Sequence, residues 1–153
     1  MIKVFIQSES GSCERNLYDE KELTYRETRQ LPRPYPYPYG FIPETVASDG
    51  GCVDCYVITR LSLKAGAIVE CEPVGILEQD EDGEIDHKIL AILPGQDLEI
   101  DAVFLQRVHE ELQVFIQAIF APFPVRVGDI LPGDEATCYI QACQGPQAKR
   151  RYN

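Results

Sequence analysis

The stretch from Tyr35 to Asp54 reads Y-P-Y-P-Y-G-F-I-P-E-T-V-A-S-D-G-G-C-V-D and brings phenolic hydroxyls close in sequence to two carboxylates, Asp49 and Asp54. A D-x-x-x-x-D run behind a turn sets hard oxygen donors near the start of a strand, where one divalent cation can bridge them. Magnesium takes oxygen ligands in near-octahedral geometry and keeps several waters, so a few carboxylates plus phosphate oxygens make a plausible site. Taken alone, Asp49-Gly50-Gly51 reads more simply as a solvated acidic turn.

A second segment, Pro73 to Pro94, has two apolar runs flanking Asp82-Gly83, a short-range signal for a β-hairpin. Its tip crowds Glu78, Asp80, Glu81, Asp82, Glu84 and Asp86 together, and such charges repel unless solvated or neutralised by a cation. An EF-hand is excluded, because Gly83 is out of register with the calcium-loop pattern. In extended backbone Asp86 and Lys88 project from one face, one suited to a cation and the other to an anion. A metal and a phosphate could meet there; the plainer reading is a surface salt bridge, which is worth little.

The remaining reactive residues point elsewhere. Cys52-Val53-Asp54-Cys55 is a C-x-x-C, with Cys138 and Cys143 as a looser second pair. A redox C-x-x-C should open a helix, whereas Tyr56-Val57-Ile58 continues a strand that puts Cys52 on the face of Asp54 and Cys55 opposite. Small buried hydrophobes are the usual state of such thiols. His87 points away from the Asp86 and Lys88 face, and His109 lies on the polar side of an apolar helix stripe, so neither is a catalytic candidate. The run Pro32 to Tyr39 is non-helical, because proline fixes its own φ and biases its predecessor to extended geometry. A polyproline ligand for an SH3-type partner is the minor alternative for that run.

The elements that must carry these groups follow from periodicity. Strands are expected at Lys3 to Ile6 and Cys55 to Ile58, a hairpin over Leu17 to Thr28, more sheet from Val69 to Leu93, and a strand at Val125 to Ile130. Ile100, Phe104, Val108, Leu112, Phe115 and Ile119 recur at three-to-four spacing and predict one long helix, stopped by Pro122 and Pro124. Asp134-Glu135 opens a short terminal helix with Ala136, Ile140 and Cys143 inward. Strands followed by helices indicate an α+β fold.

With 153 residues, 44% of them hydrophobic, the chain is expected to form a single domain over 1–153 with a sizeable core. It lacks an apolar run of transmembrane length, and Met1 to Ile6 is too short and wrongly flanked for a signal peptide, so a soluble cytoplasmic protein with no membrane partner is expected. The net charge of −11 argues against a nucleic-acid surface. The basic cluster Lys149-Arg150-Arg151 reads as a solvated tail.

In order and spacing, the two acidic motifs resemble those of the soluble, magnesium-dependent family I inorganic pyrophosphatases. That family carries Y-P-x-N-Y-G-[FY]-I-P, a spacer, then D-G-D-P-x-D, and later G-[VI]-L, an acidic turn and D-x-K. Here the later motif is Gly75-Ile76-Leu77 and Asp86-His87-Lys88. The resemblance implies a closed five-stranded, OB-like β-barrel flanked by one long helix and a short C-terminal helix, and usually a homo-oligomer. It implies hydrolysis of pyrophosphate, or binding of another small phosphorylated anion, with Mg2+ and possible use of Mn2+.

Residue by residue, Asp49, Asp54 and Asp86 match the carboxylates that hold the tightest metal, Glu81 stands for a further metal-binding aspartate, and Lys88 matches the neighbouring lysine. Asp54, Lys88 and Tyr39 are the catalytic candidates. Tyr35, Tyr39, Lys88 and Arg29 are the candidates for substrate contact, with Arg26 an equal choice for the arginine, since the gapless position holds Glu27. The departures are marked. Gly51 replaces the aspartate that helps hold a second metal and orients the attacking water, and Cys52 replaces a proline. Leu17 replaces a phosphate-binding lysine, Asp19 a longer carboxylate, Gln7 a glutamate, and Ile119-Phe120-Ala121 a Tyr-Lys pair. Reduced hydrolysis is the expectation; the alternative is a degenerate homologue that binds a metal, an anion or a protein partner without turnover.

Overall fold

The computed structural model describes residues 1–144, so the Lys149-Arg150-Arg151 cluster lies outside the described residues. The chain forms β1 (Ile2–Ser8), β2 (Glu14–Asp19), β3 (Thr24–Gln30), β4 (Tyr39–Ile42), β5 (Val53–Val57), β6 (Ile68–Glu81), β7 (Glu84–Ile85), β8 (Lys88–Ile92), α1 (Ala102–Phe120), β9 (Arg126–Pro132) and α2 (Gly133–Gln144). Among the described residues, no helix is long and apolar enough to cross a membrane.

Strand pairings run in a closed circuit. β1 pairs with β4, β4 with β5, β5 with β8 in parallel, β8 with β6, and β6 returns to β1. The long β6 makes this possible: Ile68 to Cys71 pair with β1, while Glu72 to Leu77 pair with β8. The α+β expectation of a five-stranded closed barrel with two flanking helices therefore holds. β7 and β9 extend β6 beyond the ring.

Alternation along β5 and β8 explains why both strands read as nearly continuous apolar runs. Val53, Cys55, Val57, Ile89 and Ala91 point into the ring, where they meet Val4, Ile6, Ile42, Cys71 and Ile76. Tyr56, Leu90 and Ile92 face outward, yet they are covered as well, by Val108, Leu112, Phe115 and Ile116 of α1. A strand buried on both faces has no polar side to show. Asp54 and Lys88, register partners on this parallel pair, sit on the outward face beyond the end of the helix-covered patch.

The helix α1 begins where Asp101 caps it, its side chain accepting from the Phe104 amide at 2.8 Å. The expected stripe is the packed face, with Val108, Leu112 and Phe115 buried and Ile100, Phe104 and Ile119 partly buried against the same cluster. Ala121 leaves helical geometry at ψ 135°, as a residue preceding proline must. His109 departs from expectation. Instead of lying on a polar face it is half-buried, with Nε2 2.6 Å from the Gly128 carbonyl oxygen of β9. The helix rests on β9 as well as on the ring, a contact that the helix's own periodicity does not encode. Ala136, Ile140 and Cys143 of α2 plug the ring interior, as their spacing predicts.

The strands β2 and β3 form a separate two-stranded arm, a little longer than the expected hairpin. Asn16 ties it to the ring: its amide nitrogen Nδ2 donates to the Gln7 carbonyl at 3.0 Å, and its backbone N–H donates to Ser8 Oγ at 3.2 Å. Tyr18 adds an edge-to-face contact with Phe5, ring centroids 4.8 Å apart.

Candidate active site

Between the arm and the outward face of the ring lies a cavity of about 1080 Å³. Its floor is ionic. Lys88, 5% exposed, directs Nζ to Asp54 Oδ2 at 2.6 Å, to Asp86 Oδ2 at 3.0 Å and to the Tyr39 hydroxyl oxygen at 3.2 Å. Burial alone would lower the ammonium's affinity for its proton, but Asp54, Tyr39 and Asp86 outweigh it and hold Lys88 well above the usual lysine range. Burial likewise pushes the Tyr39 hydroxyl up, so it stays protonated and hydrogen-bonds Asp54. Tyr35 stacks on Tyr39 with ring centroids 5.5 Å apart.

The acidic hairpin divides into an outward and an inward part. Asp82 and Gly83 turn at φ 53° and 89°, the pair of positive values a two-residue β-hairpin turn needs. Asp82 and Glu84 are exposed, whereas Glu81 and Asp86 turn back into the cavity. Glu81 Oε2 is buried with no hydrogen-bond partner. Burial, then a hydrogen bond shared with Asp86 and its charge, pushes the Glu81 carboxyl up to about 8. Burial works against ionisation of Asp86 as well, but Lys88 and the hydrogen bond from Glu81 prevail and hold it below the usual range.

This pairing predicts a pH dependence for the metal-free protein. The groups facing Glu81 are Asp86, Lys88 and Asp49. The folded chain holds the Glu81 proton more tightly than the unfolded chain, so the associated stability is present below the ordinary glutamate value and is lost as pH rises to about 8. Melting temperature measured in a chelator should fall between about pH 5 and about pH 8, and Glu81→Gln should flatten that fall. An unchanged slope in the variant would show that Glu81 does not carry the proton.

Asp49 does not join Asp54 and Asp86 in pairing with Lys88. It is exposed on the tight turn Ala47 to Gly51, where Gly50 adopts φ 89°, and its Oδ1 accepts from the Gly51 amide at 3.0 Å. It lines the same cavity, but among the described residues no three Asp, Glu, His or Cys side chains converge closely enough to hold an ion as they stand. The donor set nevertheless suits a hard cation. It is all carboxylate oxygen, and one oxygen is buried and unpartnered.

The rim and walls carry the rest. Arg26 and Arg29 both line the cavity; Arg29 is exposed and pairs with Glu27 at 3.0 Å. Leu17 and Asp19 also line it, as do Ile116, Ile119 and Phe120, an apolar wall where the resemblance expects polar clamps. Gln7 lies in the lining, but Ala121 does not. Cys52 faces the cavity and Cys55 the ring interior, so strand alternation separates the two thiols of the C-x-x-C.

Three lining residues were not anticipated. Arg15 is half-buried; burial works against its charge, but Tyr39, Tyr35 and Asp54 outweigh burial and hold its guanidinium above the ordinary arginine range. Alternation along β2 with Leu17 and Asp19 could have found it. Gln79 is 1% exposed, and neither atom of its carboxamide has a partner. It shares a face of β6 with Glu81, which is the available signal. Glu20 reaches in from the β2–β3 turn, and its Oε1 accepts from the Cys52 amide at 3.0 Å. Burial, then Asp54 and Asp49, pushes its carboxyl up. Nothing local in the sequence marks it.

Comparison with known proteins agrees with the fold and the motifs. The profile of the inorganic pyrophosphatase family matches residues 4–121. A relative from Nanoarchaeum equitans named inorganic pyrophosphatase is 34% identical over 155 residues, covering 94% of this chain and 95% of its own length. Another so named, from Saccharolobus solfataricus, is 40% identical over 94 residues, a match spanning 60% of this chain but only 54% of that relative. The crystal structure of the inorganic pyrophosphatase from Thermus thermophilus superposes with a TM-score of 0.84 at 26% identity, covering 99% of this chain and 91% of that one. With the ring of strands, the acidic cavity and these matches in agreement, the chain belongs to the inorganic pyrophosphatase family.

Proposed function

We propose that this chain hydrolyses inorganic pyrophosphate with the help of a divalent cation, magnesium first and manganese as a substitute, at a reduced rate. The carrying observation is the buried Lys88 held by Asp54 and Asp86 at the floor of a cavity whose walls also present Arg15, Arg26, Arg29 and two stacked tyrosines. Phosphoryl transfer needs positioning and charge neutralisation more than covalent chemistry from the protein. Lys88 neutralises phosphate oxygens, and Tyr39, kept protonated, donates a hydrogen bond to one. The arginines draw the anion in from the rim, while Tyr35 keeps Tyr39 in place. Asp54, Asp86 and Glu81 would hold the cation, with Asp49 joining from its turn; when bound, the cation would withdraw charge from the phosphate and acidify a water. The reduced rate follows from Leu17 and the apolar wall Ile119-Phe120, which supply no cation, and from Gly51, which supplies no carboxylate.

The test is phosphate release from pyrophosphate with magnesium and then manganese. Asp54→Asn should lower it by about 10²-fold or more. Release unaffected by Asp54→Asn would overturn the site. Absence of release with retained manganese binding would favour a binding protein that has lost turnover, a reading that the missing clamps also support. Self-association belongs to the same proposal: Val103, Val114 and Phe123 are exposed at 67%, 53% and 74%, and sedimentation would reveal a homo-oligomer.

A further inference from the structure

Gly51 carries no side chain, yet the space beside it already holds a carboxylate. Glu20, remote in sequence and mounted on the β2–β3 turn, places Oε1 3.2 Å from the point where a Cβ on residue 51 would stand. Asp49 Oδ1 is 3.5 Å from the same point. Oε1 is held there by the Cys52 amide at 3.0 Å, so the side chain is directed inward although the turn that bears it could leave it in solvent. Two further polar groups in the same cavity are buried and unpartnered, the carboxamide of Gln79 and Glu81 Oε2, which marks the interior as built for a polar ligand.

We propose that Glu20 supplies, from the arm, the carboxylate that residue 51 lacks, and acts on the bound cation and the water beside it. The inference rests on the pyrophosphatase reading of the site. It makes a steric claim of its own: the two carboxylates are alternatives. A Cβ at 51 crowds Oε1 and shifts it from its present place on the Cys52 amide, and an aspartate there would face Glu20 as a like charge.

A double-mutant cycle of Glu20→Gln, Gly51→Asp and the combination tests this, read both by manganese binding with electron paramagnetic resonance and by phosphate release. Glutamine keeps an acceptor for the Cys52 amide, so a purely structural role survives Glu20→Gln, and melting curves verify that it does. Glu20→Gln should weaken manganese binding about tenfold or more. Gly51→Asp alone should bring no gain, and the combination should restore native binding or better. Unchanged manganese affinity in Glu20→Gln, additive effects around the cycle, or a native chain that binds no manganese overturns the proposal. If the manganese cycle behaves as expected but the native chain releases no phosphate, the hydrolase reading fails and the role of Glu20 stands. Phosphate release that Glu20→Gln leaves untouched sinks Glu20 alone.

Discussion

Lys88→Met should cost the protein about 3–5 kcal/mol of stability and, under the proposed reaction, most of its phosphate release. Methionine fills much of the same space, so the loss is electrostatic. Asp54 and Asp86, both 19% exposed, would face each other without the cation that now stands 2.6 Å and 3.0 Å from them. Removing one partner from a buried pair leaves an uncompensated charge, which is costlier than the pair itself is worth, about 3–5 kcal/mol. The remaining carboxylates would escape by binding a proton, so folding of the variant takes up protons, and its deficit should grow as pH rises. Under the proposed reaction the same ammonium neutralises phosphate oxygens, and its loss should lower phosphate release by a further factor of about 10²–10³. Chemical denaturation at two pH values and steady-state release check both halves. A variant that melts like the native chain at both would show that Lys88 is not the counter-ion of the floor.

Gly40→Ala should destabilise the fold by about 3 kcal/mol or more, beyond the range of ordinary overpacking. Gly40 lies on β4 opposite Ile6 of β1, where a Cβ would collide with the Phe5 carbonyl oxygen and stand 3.1 Å from Ile6 Cα. These are backbone atoms of a strand paired on both sides, with β4 and with β6, so neither can yield without opening the ring. Gly51→Ala provides the contrast: among the described residues only two side chains, Glu20 and Asp49, lie near its Cβ position, and both can give way. Guanidinium titration of the two variants should separate them clearly. A Gly40→Ala protein within about 1 kcal/mol of native would mean that the ring deforms more readily than close-packed backbone allows.

Much of the frame was legible from residue order, because it rests on periodicities that a linear pattern preserves. The stripe Val108, Leu112 and Phe115 had to face apolar partners, Pro122 had to end its helix, and Asp82-Gly83 had to turn a hairpin. Alternation alone separated Cys52 from Cys55 and put Asp86 and Lys88 on one side. Family motifs then drew attention to Asp54, Lys88 and Tyr39, which do meet at one point.

What the order of residues could not decide was how segments far apart in the chain meet. Closure of the ring depends on the first half of β6 reaching β1, a pairing between residues more than sixty positions apart. His109 is half-buried because β9 comes to rest beside it. Asp49 turns to its own loop amide, and Lys88 stands between Asp54 and Asp86. Arg15 and Glu20 enter the cavity because the arm folds over it, anchored through Asn16 to β1. Local sequence determines which face a side chain takes on its own strand or helix; only the packing of those elements determines which other side chains, and which charges, it meets there.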